Sequence, residues 1–401
     1  MMARSRRLIL ITAIFILAAI LRDHAVRHLP FDFDEPVYFT AGLAYTEAIR
    51  AGDLDQLATL DPAPEHPGLV KLIEAAVFLR YPPLPPLSDS PPDPSPPVLY
   101  DMALTARQVS ALFGLLHVLL LAVVSPAAGA MLAIHSYTVK YTAQIYLEAV
   151  PMLTASVCVL AYIRARSCSR QGRQGGKERQ EESETLPLDL PWRPWREPLL
   201  FWALSAVALG LTAAGKYIYV VAGLAVAVDA LWTIVQQRRS RGLLVLFGWG
   251  ALAVLVFFAA NPYLWPDPIG RLLESLSFHA AYSQSQHVQE SGYPWYQPFI
   301  WLVAPLPRSW HPGVILVSLE PLIVALGVVG LWPMWRARDG HGRVVVLWWL
   351  LGLVFTLLWS TKWPQYSLVM TAPMSLCAAE GLRALWLHVP DDLRAILTSH
   401  E

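Results

Sequence analysis

Ten mostly apolar runs recur along the chain: Leu8–Leu21, Arg107–Val124, Ala127–Lys140, Ile145–Ile163, Leu199–Ala214, Tyr217–Val235, Leu243–Ala260, Gly313–Trp335, Val344–Trp359 and Ser367–Leu387. In lipid a backbone has no water to satisfy its N–H and C=O groups, so such runs must become helices. Composition agrees. Of 401 residues, 55% are hydrophobic and 15% charged, where a soluble domain carries about 25% charged residues. A soluble globular enzyme and a disordered chain are both excluded. The net charge is zero, which gives a nucleic-acid partner no support. Three cysteines, Cys158, Cys168 and Cys377, make no CxxC pair, disulfide framework or metal cluster. The expected fold class is an all-α polytopic membrane protein of about ten transmembrane helices.

The runs divide the chain. Residues 1–22 form the first transmembrane helix, read as uncleaved because Arg22-Asp23-His24 follows it without a small-residue cleavage pattern. Residues 23–106 form a long outer loop. Within it, Glu35–Arg50 has an apolar helical face, and Pro67–Leu79 carries Lys71 and Glu74. The latter reaches roughly 20 Å as a helix, short of the roughly 30 Å hydrocarbon core. Both are read as interfacial helices, followed by a proline-rich extended segment at 81–97. Transmembrane helices 2–4 occupy 107–163, helices 5–7 occupy 198–260, and helices 8–10 occupy 313–390. Between them lie a basic, low-complexity loop at 164–197, expected to be flexible and cytoplasmic, and a second outer loop at 261–312. Residues 391–401 form a tail. Most lysines and arginines then fall on the side of the termini, which places both termini in the cytoplasm, and the short loops suit a plasma membrane.

This topology gathers polar residues on the outer face: Asp34 and Glu35 after the first run, Glu148 at the start of the fourth, Lys216 in a tight turn, Lys362 before the last run, and His66, His279, Arg308 and His311 in loops. Carboxylates and lysines together suit an anionic substrate and an acid–base step. Each also has a plainer reading. An acid at a helix start can cap it, and a lysine can snorkel to headgroups. Asp32 is read as solvated, Lys140 as snorkelling, and Asp229 and Glu320 as structural.

The order of motifs resembles that of the GT-C glycosyltransferases, in particular the protein O-mannosyltransferases and lipid A aminoarabinose transferases. FDFDEPVYFTAG is similar to the family's Asp-Glu motif, EHPGLVKL to its His-Pro-Pro-Leu element, and ARQVSALFGLL to its Arg-centred span start. YTAQIYLEAVPML, ALGLTAAGKY, NPYLWPDP with SGYPWY, and STKWPQYSL follow in the family's order. SPAAG stands where the family has a longer hairpin, and Gly68 stands where it has a second proline.

The resemblance implies an inverting transfer of a sugar from a polyprenyl-phosphate donor to a protein, lipid or glycan acceptor at the outer membrane face. Asp34 is then the base, Glu35 its neighbour and Glu148 the second acid. Lys216, Lys362 and His66 face the donor phosphate, with Arg107 and Tyr38 supporting. No cofactor is implied, and metal dependence is left open with none expected. Two alternatives stand beside this reading. A lipid or solute transporter would favour two related halves, and no internal repeat is visible. A catalytically degenerate GT-C scaffold is suggested by the short hairpin.

Overall fold

A computed structural model describes residues 2–59, 63–83, 97–182, 193–238, 240–337 and 340–389. The helices are α1 (Met2–His28), α2 (Glu35–Ala51), α3 (Leu54–Thr59), α4 (Leu69–Phe78), α5 (Pro97–Val124), α6 (Pro126–Ile134), α7 (Ser136–Tyr141), α8 (Ala149–Glu182), α9 (Arg193–Gly215), α10 (Val221–Gln237), α11 (Arg241–Ala259), α12 (Pro268–Tyr282), α13 (Gln286–Ser291), α14 (Gln297–Val303), α15 (Glu320–Arg336), α16 (His341–Leu358) and α17 (Thr371–His388). No strand occurs among the described residues. The protein is an all-α polytopic membrane protein.

Among the described residues, seven stretches are long and apolar enough to cross a membrane: Ser5–His28, Pro97–Val124, Ala149–Cys168, Pro198–Gly215, Tyr217–Gln237, Arg241–Ala259 and His341–Leu358. Each matches one of the ten expected runs. The other three runs fold differently. Ala127–Lys140 splits into α6 and α7 at His135, whose ψ of 114° is extended. Gly313–Trp335 yields only the 17 residues of α15. Ser367–Leu387 opens inside a 3-10 turn, Pro364–Met370, before α17 begins. Two boundaries also move. α1 runs past Leu21 to His28, with Arg22 buried and donating to Thr142 Oγ1 at 3.1 Å. α8 carries its helix through Glu182, so the basic segment expected as a flexible loop begins as a helical extension. The proline-rich stretch at 84–96 and the tail at 391–401 lie outside the described residues.

Residues Met1–Pro36, Asp93–Ala149 and Ser283–Glu401 form one compact unit, and Val37–Pro92 with Val150–Tyr282 form a second. In the first, α1, α5 and α6 pack together, α6 touches α17, and α15 lies against α16 and α17. Ser125 caps α6, accepting from the Ala128 N–H at 3.4 Å, and Pro126 follows at its first position, a favourable helix start. In the second, α9 and α10 pack on α11, and α4 packs on α9. Leu244, Phe247 and Leu255 of α11 are exposed, as a lipid-facing row requires.

The expected structural acids are structural here. Glu320 opens α15 and accepts from the Ser136 N–H and Oγ, both at 2.6 Å, so it caps α7 across the break at His135. Asp229 accepts from the Tyr162 hydroxyl at 2.6 Å and pairs with Arg166, tying α10 to α8.

Candidate functional site

α1 ends at His28, Pro30 follows, and Glu35-Pro36 begins α2. The short acidic loop between them is held from α5 by Arg107. All five Arg107 N–H groups are used. Nε donates to Glu35 Oε2 at 2.8 Å and Nη2 to Glu35 Oε1 at 2.6 Å. The other three reach the carbonyls of Val26 at 3.1 Å, Leu29 at 2.9 Å and Pro30 at 3.0 Å. Arg107 therefore caps the carboxyl end of α1 and anchors the first residue of α2 in one planar fork.

Glu35 is fully buried. Besides Arg107, it accepts from the Asp32 N–H at 2.9 Å, the Gln144 amide at 3.2 Å and the Ile145 N–H at 3.0 Å. Five donors on two oxygens make Glu35 an anchor of the loop. Asp34 stands beside it, half-buried, and its charge acts on Lys140 and Tyr141. Glu148 is buried immediately before α8, and its charge also bears on Tyr141.

Two expectations change at this loop. Asp32 is not simply solvated and Lys140 does not snorkel: they form an ion pair. Lys140 is 1% exposed and also donates to Gln144 Oε1 at 2.9 Å. Burial alone would raise the Asp32 carboxyl, but the Lys140 charge and hydrogen bonds from Lys140, the Phe33 N–H and Tyr146 hold it below its ordinary value. Residues 32–34 also spell Asp-Phe-Asp, a spacing found at divalent-metal sites. Among the described residues no group of three or more His, Cys, Asp or Glu is placed to hold a metal ion.

The second unit carries a basic cluster. His66 Nε2 lies 3.3 Å from the Tyr38 hydroxyl, and its ring centroid is 5.7 Å from that of His279. His279 Nε2 is 2.9 Å from the Glu65 carbonyl. Lys71 donates to the carbonyls of Ala63 at 2.6 Å and His66 at 2.9 Å. Lys216 is nearly buried, directly after Gly215 ends α9. A Cβ at Gly215 would approach Pro151 Cδ to 3.0 Å, so the turn that presents Lys216 is tight. Burial, then the charges of Lys216, Lys71 and His279, push His66 well below the ordinary histidine value. Burial also lowers His279, against the pull of the Glu65 carbonyl. The cluster thus has lysine charge beside neutral imidazoles, each able to donate or accept one hydrogen bond.

Lys362, expected to face the donor phosphate, is held here by the helix before it. Its ammonium donates to the carbonyls of Thr356 at 3.0 Å, Leu357 at 2.9 Å and Trp359. All three ammonium protons cap the carboxyl end of α16. Sequence position alone could not reveal this, because the bonds run backwards to the preceding helix. Asp34, Glu35, Arg107, Glu148 and Lys362 belong to the first unit, and Tyr38, His66 and Lys216 to the second. Lys140, His279 and Lys71 are the neighbours that sequence reasoning had not assigned to a site.

The chain matches no protein-family model and no curated protein. Its fold does match solved structures. ArnT from Cupriavidus metallidurans bound to undecaprenyl phosphate aligns with 94% of this chain and 60% of its own, at TM-score 0.58 and 14% identity. The same protein in the apo state aligns with 96% of this chain at TM-score 0.60 and 13% identity. The Archaeoglobus fulgidus oligosaccharyltransferase in its apo form gives TM-score 0.55 at 11% identity over 96% of this chain and 52% of its own. The chain thus spans about 60% of the length of ArnT. At these identities the likeness is one of fold, the fold of ArnT and of the Archaeoglobus oligosaccharyltransferase.

Proposed function

We propose that the protein is an inverting glycosyltransferase that moves a sugar from a polyprenyl-phosphate donor to an acceptor at the outer face of the plasma membrane. The carrying observation is the loop after α1, where all five Arg107 donors and the saturated Glu35 fix the backbone next to the half-buried Asp34. The fold supports the donor class. One neighbour is bound to undecaprenyl phosphate, and the Archaeoglobus enzyme is in complex with an inhibitory peptide and a dolichol-phosphate.

In this reading Asp34 takes the proton of the acceptor nucleophile, which attacks the anomeric carbon as the phosphate leaves. One carboxylate opposite the leaving group is what inversion needs. The phosphate is already a good leaving group and requires charge compensation more than protonation. Lys216 supplies that charge, with His66 donating a hydrogen bond. Glu148 is a second acid whose charge bears on the acceptor. The excess of basic residues at 164–197 supports cytoplasmic termini.

The test is transfer of labelled sugar from a panel of short polyprenyl-phosphate donors by purified protein in detergent. Asp34→Asn should lose two or more orders of magnitude in rate, the cost of removing a general base. Equal rates would move the base to Glu148. Transfer by neither protein with any donor, while the fold is intact, would favour the transporter or degenerate reading.

Two lysines separate phosphate binding from structure. Lys216→Gln should raise the donor KM by tenfold or more and leave the thermal midpoint nearly unchanged. Lys362→Met should do the reverse, lowering the midpoint through loss of a helix cap and leaving KM alone. A KM effect confined to Lys362→Met would sink the assignment of both residues.

A further inference from the structure

Phe33 sits in the acidic loop immediately before Asp34 and is 83% exposed. The backbone beneath it is fixed. Its N–H donates to Asp32 Oδ1 at 2.7 Å, the Asp32 N–H donates to Glu35 Oε1 at 2.9 Å, and Lys140 pairs with the Asp32 carboxylate. A bare ring on a held loop contributes no burial energy to the fold. It is also the first of a row of rings within one unit. His287 of α13 lies 6.1 Å from Phe33, centroid to centroid, with 22° between the planes. Trp363 follows at 5.2 Å and 30°. Tyr293 stands upright against Trp363 at 5.7 Å and 89°, and Trp301 of α14 against Tyr293 at 5.5 Å and 80°. Local structure keeps the row in place. Ser285 caps α13 by accepting from the Val288 N–H, and Gly292, at φ 60°, ends it and turns the chain to Tyr293. Trp301 Nε1 donates to the Lys362 carbonyl at 2.7 Å, which ties α14 to the residue before Trp363.

Trp301 is buried, Tyr293 and Trp363 are half-buried, and His287 and Phe33 are exposed. The row therefore runs from the core of the unit to the surface beside Asp34. Its exposed end offers aromatic faces with a polar imidazole edge. A sugar ring matches this chemistry. One face of a pyranose is a patch of C–H groups that the negative face of an aromatic ring attracts, and its hydroxyls stay at the rim. Other occupants match less well. The loop and its two holders carry three carboxylates, Asp32, Asp34 and Glu35, against two cations that are already paired, Arg107 and Lys140. That balance disfavours an anionic acceptor. Acyl chains would take up Phe33 only by drawing its flanking carboxylates out of water. An extended peptide is commonly held on a sheet edge, and no strand occurs among the described residues.

We propose that this row is an acceptor subsite for a neutral glycan, in which Phe33 and His287 stack sugar rings and bring a hydroxyl to Asp34. The inference rests on the reading of Asp34 as the base, and it names the acceptor class of that reaction. The glycan hydroxyl oxygen forms the bond to the anomeric carbon, and its proton passes to the Asp34 carboxylate. The bond from the anomeric carbon to the phosphate oxygen breaks, and its electron pair leaves with the polyprenyl phosphate.

The test separates acceptor binding from transfer. Purified protein in detergent is titrated with neutral trisaccharides of mannose, glucose and galactose. Saturation-transfer NMR then reads contact with the sugar C–H protons, with no donor present. Phe33→Ala and His287→Ala change exposed side chains and should fold. Each should weaken binding of the preferred trisaccharide by about fivefold, the scale of one aromatic contact, and Phe33→Tyr should retain it. In turnover, both alanine variants should raise the acceptor KM by the same factor and leave the donor KM alone. Equal binding by wild type and both alanine variants overturns the inference, as does the absence of binding by all three sugars. Transfer to a peptide or a lipid at a rate indifferent to Phe33 also overturns it, while leaving the transferase reading standing. Ring-dependent sugar binding in a protein that transfers from no donor upholds the subsite and rejects the transferase reading.

Discussion

Arg107→Met should cost about 3–5 kcal/mol of stability, the range for breaking a buried ion pair from one side, and should abolish any activity that depends on the acidic loop. Three losses combine. The buried Glu35 carboxylate loses its cation. The carbonyls of Val26, Leu29 and Pro30 lose their donors at the carboxyl end of α1. The Phe31 ring loses a guanidinium 4.4 Å from its centroid. Arg107→Lys should be nearly as damaging, because three ammonium donors cannot fill five sites and the planar fork is lost. The measurement is the thermal midpoint in detergent alongside limited proteolysis at residues 29–34. Glu35→Gln alone should be milder, since Arg107 retains the three carbonyls and an amide oxygen. The double variant Glu35→Gln/Arg107→Met should lose less than the sum of the single losses, because the unpaired charge is gone. Simple additivity would show that the two side chains stabilise the fold independently, contrary to the geometry.

The sequence carries local patterns well and distant pairings badly. Seven apolar runs became helices long and apolar enough to cross a membrane, because length and hydropathy suffice to specify a helix in lipid. The order of motifs singled out Asp34, Glu35 and Arg107, and the structure pairs the last two. The anchoring contacts of Glu35 were not legible there, because they depend on Gln144 and Ile145, more than a hundred residues away. The same is true of Lys140 and Asp32, separated by 108 residues. The break between α6 and α7 lies in a run without an internal proline, and what stabilises it is Glu320, 184 residues on. The contacts of Lys362 were hidden for a different reason. A lysine before a helix looks like an anion site, yet its bonds close the helix behind it. In the second outer loop, Pro268, Ser285 and Pro298 mark the starts of α12, α13 and α14, signals available in the sequence that hydropathy passed over.

The second large effect is expected where two helices meet backbone to backbone. A Cβ placed on Gly330 of α15 would lie 1.8 Å from the Cys377 carbonyl oxygen of α17, and one on Gly381 of α17 would lie 2.0 Å from the Leu326 oxygen of α15. No rotamer relieves such a clash, because the obstacle is main chain on both sides. Helices in lipid gain little from hydrophobic exclusion between themselves, so close approach through small residues and the dispersion contacts it permits hold them together. Gly330→Leu must therefore separate α15 from α17 and loosen α6, which also rests on α17. The expected result is a loss of about 3 kcal/mol or more, the upper end for overpacking, seen as a collapse of the monodisperse fraction after mild heating in detergent. Even Gly330→Ala should lower the midpoint measurably. Gly248 on α11 supplies the contrast, since nothing lies within 4 Å of a Cβ built there. Gly248→Ala should be neutral or gain up to about 1 kcal/mol from helix propensity. If both alanine variants behaved alike, glycine at α15 would be answering to backbone entropy alone, and the close contact of α15 with α17 would not be what holds that side of the unit together.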